Sequence, residues 1–496
     1  MSASLLTVGP RAADVLHPFA SPQIKIELAR ETDRVTRAYT TGDRIEGTVT
    51  ISANHLISFD EIDIQLEGSQ TVFVQRGTVP GHTGATQTFL RLRQPIEESL
   101  YPMPRVLEPG CSYQFPFTFV VPQRLLPHIC SHHESNAHIQ DSHTLLLPSL
   151  GDPVLSKDGK SVLDDMSPDM ARVTYHIRAE VVQKPVVGPA KSLKLAKKKI
   201  RIVPAVEEEP PLTILDCDTV YRMRKEKDVR RGTLRPRQGR LVAAASQPKP
   251  LQLHSSPNKS SESVSTAATV HLRFDPAGDE EPPSLGTVWS KLRVATYYSV
   301  RPWDDYPTAS VVSAVDTSGR GVYQELLPLS TMCVASAQWT KHGMDSLVRR
   351  DSLQSTSSAE SITGPSALWS GDAYYTASLV VPISLPTSRA FVPTFHSCLI
   401  SRVYILELCV SYHTPNMNIL TPTVTLKVPI QLTSGQPGAV LRRSSEEITQ
   451  EEVDAEFFSP RNVAPPVLEP AVAPPDYSDY APPLPSARPQ ESYNDP

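Results

Sequence analysis

This sequence of 496 residues is poor in cysteine and aromatic side chains, and long apolar runs are absent. Six cysteines, none of them in a CxxC pair, are scattered along it, a usage typical of free thiols in a reducing compartment. No apolar run approaches the roughly 18 to 20 residues needed to cross a bilayer. The N-terminal residues also lack the continuous apolar core of a signal peptide. We therefore expect a cytoplasmic protein that contacts membranes only at their surface.

Catalytic signatures are missing as well. The patterns GxSxG, GxxxxGK[ST] and HExxH do not occur, and the string DTSG at 316–319 is interpreted as a turn. A net charge of −5 argues against a general nucleic-acid binder. We expect no enzymatic activity, no cofactor and no nucleic-acid partner. A hydrolase with a dispersed active site is the alternative, and it requires a deep polar pocket with convergent titratable groups.

Alternation of apolar and polar residues is the dominant pattern of the first 180 residues. The apolar positions that share one face are Ile24, Ile26 and Leu28; Ile62, Ile64 and Leu66; Tyr113, Phe115, Phe117 and Phe119; and Val173, Tyr175, Ile177 and Ala179. A period of two is typical of strands with one face in a core and one in water. Turn residues separate these stretches, so the pattern predicts an all-β sandwich.

Composition divides the chain into five segments. A flexible N-terminus over 1–21 precedes a first β-sandwich over 22–204, and a basic, Ser-rich disordered linker is predicted over 205–266. Strand patterning resumes in a second β-sandwich over 267–433, and an acidic, then Pro-rich, disordered tail covers 434–496. The architecture expected from the residues is thus two β-sandwiches in tandem.

Two polar stretches need separate comment. Residues 342–366 interrupt the second sandwich and are too polar for a strand, so they are predicted to form a mobile loop. A short helix over 218–229 is an alternative for one part of the predicted linker.

The ordered set of strand sequences is similar to a known family. YTTGDRIEGTVTI, ISFDEIDIQLEGSQTVFV, LEPGCSYQFPFTFVVP and VTYHIRAEVV follow one another as in the N-terminal domain of fungal α-arrestins, the arrestin-related trafficking adaptors. VPISLP, FVPTFHSCLISRVYILEL and TLKVPIQL resemble the closing strands of their C-terminal domain. The resemblance covers roughly residues 22–204 and 267–433. It implies two immunoglobulin-like arrestin sandwiches that bind cytosolic regions of a plasma-membrane transporter or receptor.

A proline motif lies near the end of the chain. Pro474, Pro475 and Tyr477 match the pattern PPxY, and in such adaptors this motif recruits a WW-domain, HECT-class ubiquitin ligase. Paired prolines favour the extended polyproline II helix, so that docking costs little entropy. Tyr480 is preceded by Ser478 and Asp479 and completes no second motif.

The predicted tail sets how far a docked ligase can reach. About 41 residues separate position 433 from Pro474, and a flexible chain of that length spans about 35 Å. The ligase would therefore be held at high effective concentration beside the sandwiches and their cargo. The resemblance thus implies an adaptor, recruited to plasma membrane and endosomes, that promotes cargo ubiquitination and endocytosis. The alternative is an arrestin-fold signalling or sorting scaffold, pH-sensing or retromer-like, that acts without the ligase.

A basic stretch closes the first predicted sandwich. Residues 184–201 carry seven basic side chains and no acidic ones. Three interpretations stay open: contact with anionic lipids, ubiquitin acceptance from the recruited ligase, and a solvated edge strand whose lysines discourage unwanted pairing. The candidate acceptor or lipid-contact lysines are Lys191, Lys194, Lys197, Lys198 and Lys199.

Three strings place an arginine pair just before a serine or threonine. The candidate phosphorylation sites are Thr233, Ser352 and Ser445. All three lie in stretches predicted to be mobile, where a phosphate beside arginines could dock a phosphoserine-binding adaptor.

Histidines concentrate in the stretch LPHICSHHESNAHIQDSH. It contains Cys130 and five histidines, His128, His132, His133, His138 and His143. Imidazole and thiolate are good zinc ligands, but the spacing matches no known ligand pattern. We therefore expect solvent-exposed histidines in a long loop and no metal.

Overall fold

Antiparallel β-sheets account for nearly all of the regular structure. The computed structural model describes residues 21–435 apart from 30–37, 76–81, 153, 156–161, 186–187, 213, 215–217, 219, 231–236, 254–263, 309–311, 313–318, 344–362, 368, 370–372 and 414–420. Outside the described residues lie positions 1–20 of the predicted N-terminal segment 1–21, all but the start of the tail 434–496 and most of the insertion 342–366.

The first lobe is a sandwich of two sheets. Its elements are β1 (Gln23–Leu28), β2 (Ala38–Tyr39), β3 (Arg44–Ser52), β4 (Ile57–Ser58), β5 (Glu61–Gln75), β6 (His82–Arg93), β7 (Val106–Leu107), β8 (Ser112–Val120), α1 (Ala137–His143), β9 (Val154–Leu155), β10 (Val162–Leu163), β11 (Ala171–Gln183) and β12 (Lys191–Ile202). One sheet has the order β1-β3-β8 and the other β2-β12-β11-β5-β6. Both contribute to one apolar core.

The second lobe is a sandwich of two five-stranded sheets. Its elements are β13 (Arg224–Arg230), β14 (Arg237–Ala245), β15 (Leu251–Leu253), β16 (Ser265–Pro276), β17 (Ser284–Ser299), β18 (Arg320–Cys333), β19 (Thr340–His342), β20 (Tyr374–Ser384), β21 (Phe395–His396), β22 (Ile400–His413), β23 (Thr423–Ile430) and β24 (Leu432–Ser434). One sheet has the order β13-β14-β16-β20-β19; the other runs β18-β17-β22-β21, with β23 also paired to β22. Their facing sides enclose a second core.

The period-two prediction is confirmed in the long strands. In β11, Val173, Tyr175, Ile177 and Ala179 are all buried, while the residues between them are partly exposed. The apolar face of β8 likewise enters the first core, and Phe117 packs there against Gly47. The sequence therefore predicted the all-β sandwich fold correctly.

The prediction of a disordered linker over 205–266 is wrong for much of its length. Strands β13, β14 and β15 lie in it, and β13 and β14 extend one sheet of the second lobe. The alternative of a helix over 218–229 is also wrong, because Arg224–Arg230 is a strand. The reason is the apolar run LVAAA at 241–245, which is fully buried between β13 and β16. Strand β13 lies at the edge of this sheet, where its charged side chains form ion pairs such as Arg240–Glu226.

The two lobes share a continuous interface. The first core extends into the second lobe through Phe395, Cys398 and Ile400, which belong to the β21–β22 hairpin. In the opposite direction, Met166 from the first lobe is buried in the second core. The side chain of Arg402 is fully buried and donates hydrogen bonds to the backbone carbonyl of Met166, at 3.2 Å, and to that of the preceding residue. Charge and packing therefore fix the lobes to each other.

Candidate functional site

The residues of the proposed docking motif lie outside the described part of the chain. This holds for Pro474, Pro475 and Tyr477, and equally for the phosphorylation candidates Thr233, Ser352 and Ser445. Their roles remain predictions from sequence. No helix among the described residues is long and apolar enough to span a membrane.

The candidate lysines are all on β12. This strand pairs with β11 along its length, but its other neighbour, β2, pairs only with Arg201 and Ile202. Among the residues that the structure describes, the lysine-bearing part of β12 therefore has no partner strand on its other edge, which agrees with the edge-strand interpretation. Lys191 and Lys194 are exposed at the start of the strand.

Two of these lysines are engaged in ion pairs within the first lobe. The Nζ atom of Lys197 lies 3.7 Å from Glu67, and that of Lys199 lies 2.5 Å from Asp152. Acceptance of ubiquitin needs a freely accessible amine. If ubiquitin is attached to this strand, Lys191 and Lys194 are therefore better placed to accept it than Lys197 and Lys199.

The histidine-rich stretch differs from the expectation of an exposed loop. His128, His133 and His138 are exposed as predicted, but His132 is half-buried and His143 is only 3% exposed. His143 ends α1 on the face that also carries buried Ile139, four residues earlier, so the helix turns both side chains inward. The prediction that these histidines face solvent is therefore wrong for His143.

Local structure in the first lobe brings three side chains of the histidine-rich stretch close together. After β8 the chain passes through a short 3-10 helix, Pro127–Ile129, and Cys130 follows it with its thiol buried. Asn136 then caps α1, its side-chain oxygen accepting a hydrogen bond from the Ile139 amide at 3.2 Å. The cap fixes where the helix begins and hence where His143 points.

The second lobe supplies a fourth side chain. Cys398 lies in the tight turn that joins β21 and β22, where the Ser397 amide donates to the Ile400 carbonyl at 3.0 Å. The Cys398 carbonyl accepts a hydrogen bond from the amide of buried Trp303 at 2.9 Å. With its side chain 1% exposed, Cys398 faces the first lobe at the interface.

Cys130, His132, His143 and Cys398 form what we call the Cys/His cluster. Each contributes one nitrogen or sulfur atom, and these four atoms all lie within 4.8 Å of one another. The Cys130 sulfur lies 3.2 Å from Nε2 of His132 and 3.4 Å from Nδ1 of His143. Ligand atoms on a tetrahedral Zn²⁺, at about 2.0–2.3 Å from the metal, are separated by roughly 3.3–3.8 Å. The spacing thus matches a tetrahedral site after small side-chain movements.

Two further groups orient the cluster. The second ring nitrogen of His132, Nδ1, lies 3.0 Å from the His133 carbonyl oxygen, which directs Nε2 toward Cys130. The Cys130 thiol donates to Glu134 Oε1 at 3.0 Å. A histidine anchored through its other nitrogen is the usual arrangement around a bound metal.

Burial disfavours the charged forms of three side chains in the cluster. It lowers the pKa of His143 to about 4, with a smaller contribution from His132, and it raises the pKa values of the Cys130 and Cys398 thiols. A neutral imidazole has a lone pair ready for a cation. The thiols become ligands only when a cation displaces their protons.

A polar depression of about 430 Å³ lies on the surface of the first lobe. Its lining includes Glu61, Arg93, Glu98, Arg105 and Lys184. These acids and bases are paired with one another, as Arg93–Glu61, Lys184–Glu61 and Arg105–Glu98. The depression is thus a surface ion-pair network.

The fold defines a two-lobed all-β protein with a Cys/His cluster at its lobe interface. No family model matches the sequence. The chain is similar to Bypass of stop codon protein 5 of Saccharomyces cerevisiae, with 26% identity over 257 residues, which covers 40% of this chain and 52% of the yeast protein. The chain thus spans about half the length of this curated relative. Similarity to a yeast protein is consistent with a fungal source.

Proposed function

We propose that this protein is a ubiquitin-ligase adaptor. Its two lobes bind cytosolic regions of a membrane transporter or receptor, and its tail recruits a WW-domain, HECT-class ligase that ubiquitinates the cargo and promotes its endocytosis. The observation that carries the proposal is the order of parts along the chain: two β-sandwiches joined by a packed interface, then the string Pro474-Pro475-Asp476-Tyr477. The similarity of the strand sequences to arrestin-related adaptors agrees with that order.

The two lobes bind the cargo, and the tail binds the ligase. Buried contacts between the lobes, such as Arg402 with the Met166 carbonyl, make the pair a single platform rather than two independent modules. A platform of that kind presents one composite surface to cargo at the plasma membrane or an endosome. The chemistry of ubiquitin transfer belongs to the recruited ligase, so the adaptor needs no active site of its own.

The docking step rests on a short motif. A single PPxY segment is expected to bind a WW domain with a dissociation constant near the micromolar range, about −8 kcal/mol. Most of that free energy is expected to come from the tyrosine and the two prolines, because these are the residues that define the motif. Loss of the Tyr477 ring should therefore weaken binding by at least about tenfold, or about 1.4 kcal/mol.

A pull-down of the full chain with immobilised WW domains tests the docking step. Tyr477→Ala should abolish capture, whereas Tyr480→Ala, three residues away but without preceding prolines, should bind like the wild type. Equal capture of wild type and Tyr477→Ala would remove the motif from the proposal. Deletion of 459–496 distinguishes the two proposed functions. If the protein is a ligase adaptor, cargo turnover should become slower; if it is a scaffold that acts without the ligase, cargo turnover should not change.

A further inference from the structure

The Cys/His cluster has the chemistry of a structural zinc site. Two sulfur and two nitrogen donors in a compact group suit Zn²⁺, which prefers tetrahedral cysteine and histidine ligands. We propose that Cys130, His132, His143 and Cys398 bind one Zn²⁺ ion that links the first lobe to the second. This inference is independent of the ligase-adaptor function, because it is argued only from residues of the two lobes.

Charge balance is the first argument for the site. Two thiolates and two neutral imidazoles neutralise the two positive charges of the ion, so the loaded site buries no net charge. Apolar side chains, among them Phe395 and Leu399, lie in the same core as the two thiols and the nearly fully buried imidazole. The ion would give all four side chains one common charged partner in place of the weaker contacts that they make with one another.

The supporting contacts are the second argument. The His133 carbonyl oxygen lies 3.0 Å from His132 Nδ1, so that Nε2 of the same ring is left for the metal. His132 is also the ligand closest to solvent, with 18% of its side chain exposed, and this gives the ion a path into the site. Glu134 accepts a hydrogen bond from the Cys130 thiol at 3.0 Å and so helps to hold that side chain at the cluster.

The position of the fourth ligand determines what the ion does. Cys130, His132 and His143 come from one loop and helix of the first lobe, whereas Cys398 is in the β21–β22 turn of the second. Bound Zn²⁺ thus acts as a cross-link between the lobes. It closes a long loop of chain and so restrains the relative motion of the two sandwiches.

Adjacent contacts join the same two lobes close to the cluster. Ser142, next to His143, lies 2.9 Å from the Tyr306 hydroxyl, and the Ser135 amide donates to the Asp304 carbonyl at 2.9 Å. The Tyr306 ring packs against the His396 ring, with centroids 4.5 Å apart. These contacts stabilise the interface beside the cluster, so the cluster is one of several groups that join the two lobes.

The experiment measures zinc in the full chain, purified under reducing conditions, loaded with Zn²⁺ and exchanged against a competing chelator. We expect about one zinc per chain in the wild type, and a loss of affinity of at least about 100-fold in Cys398→Ser and in His143→Gln. Matched controls are Cys409→Ser, a buried cysteine of the second lobe that contacts Thr425, and His138→Gln, an exposed histidine of α1. Both controls should retain zinc.

Cobalt gives a readout on the unmutated protein, so the test does not depend on the folding of a variant. Co²⁺ in the wild type should show the intense visible bands of a tetrahedral ion and thiolate charge-transfer absorption, which Zn²⁺ then displaces. Less than about 0.1 zinc per chain in the loaded wild type, or an octahedral cobalt spectrum, would overturn the proposal. So would a disulfide between Cys130 and Cys398 in a non-reduced peptide digest of protein purified separately without reductant, or equal zinc loss in Cys398→Ser and Cys409→Ser.

Discussion

Ser397 in the second lobe donates a hydrogen bond of 2.8 Å to the side-chain oxygen of Gln70 in the first lobe. Both residues are 1% exposed. The Gln70 amide in turn donates to Gln87 at 2.7 Å, and the Gln87 amide donates to the Ile129 carbonyl at 3.0 Å. This chain of hydrogen bonds begins beside Cys398 and ends beside Cys130, so it holds the two cysteines of the cluster in place.

Gln70→Ala should therefore destabilise the protein. The substitution removes the hydrogen bonds to Ser397 and Gln87 and leaves the half-buried side-chain oxygen of Gln87 without this donor, while the Ser397 hydroxyl keeps its contacts with Ile400. The free energy of unfolding is expected to fall by about 1–3 kcal/mol. Urea denaturation measures the change. Gln114→Ala, at an exposed position of β8, should stay within about 0.5 kcal/mol of the wild type. A Gln70→Ala variant as stable as Gln114→Ala would show that the chain of hydrogen bonds carries no stability.

Close packing at Gly47 gives a second prediction. A Cβ atom there would lie 2.3 Å from the Glu27 carbonyl oxygen and 2.5 Å from the ring of Phe117. Gly47→Ala should cost about 1–3 kcal/mol of unfolding free energy, because β1 or the aromatic ring must move. Gly84→Ala is the matched strand control, since its nearest neighbour would be the Val72 carbonyl oxygen at 3.4 Å. Thermal unfolding that gives the same midpoint for both variants would contradict the packing of β1 on β3 described above.

The pH dependence of stability should carry a contribution from His176. Burial, and then the charges of Lys197 and Lys199, lower the pKa of this histidine below its ordinary value of 6.5. The unfolded state therefore binds more protons as the pH falls through 6.5, and the stability present above that pH is progressively lost. His176→Gln should reduce this loss between neutral and mildly acidic pH, measured by urea unfolding at each pH. Exposed His55→Gln should leave the full loss, and equal slopes in the two variants would contradict the prediction.

The basic strand allows the lysine interpretations to be separated. Substitution of Lys191 and Lys194 by arginine keeps the charge and removes the amine, whereas substitution by glutamine removes both. If these lysines accept ubiquitin, both double variants lose the modification in a reconstituted ligase reaction, and vesicle binding is unaffected by arginine. If they bind anionic lipid, glutamine weakens vesicle binding and arginine does not. If both variants behave like the wild type in both assays, the remaining interpretation is that the lysines discourage unwanted pairing at a strand edge.

Much of the fold could be predicted from the alternation of apolar and polar residues, because the sequence of each strand is enough to show which of its faces is buried. Val424, Leu426, Val428 and Ile430 in β23 are an example, and all four are buried. Strand β14 was missed because LVAAA is short and lies within a charged, Ser-rich stretch, so average composition concealed it. A continuous apolar run of five residues between polar segments was the local signal for a buried strand.

The Cys/His cluster was beyond sequence reasoning for a different reason. The spacing from Cys130 to His132 and His143 gives three donors without a recognisable pattern, and the fourth donor, Cys398, belongs to the other lobe. Only the packing of α1 against the β21–β22 turn brings it near. The helical position of His143 relative to apolar Ile139 was the one local indication that this histidine is buried.

Proximity labelling in cells, with the wild-type protein and Tyr477→Ala compared as labelling sources, tests the adaptor account most directly. The account predicts that the wild type labels a HECT-class ligase together with a membrane transporter or receptor. Tyr477→Ala should lose the ligase and keep the cargo, while Tyr480→Ala keeps both. Undiminished labelling of the ligase by Tyr477→Ala would contradict the account.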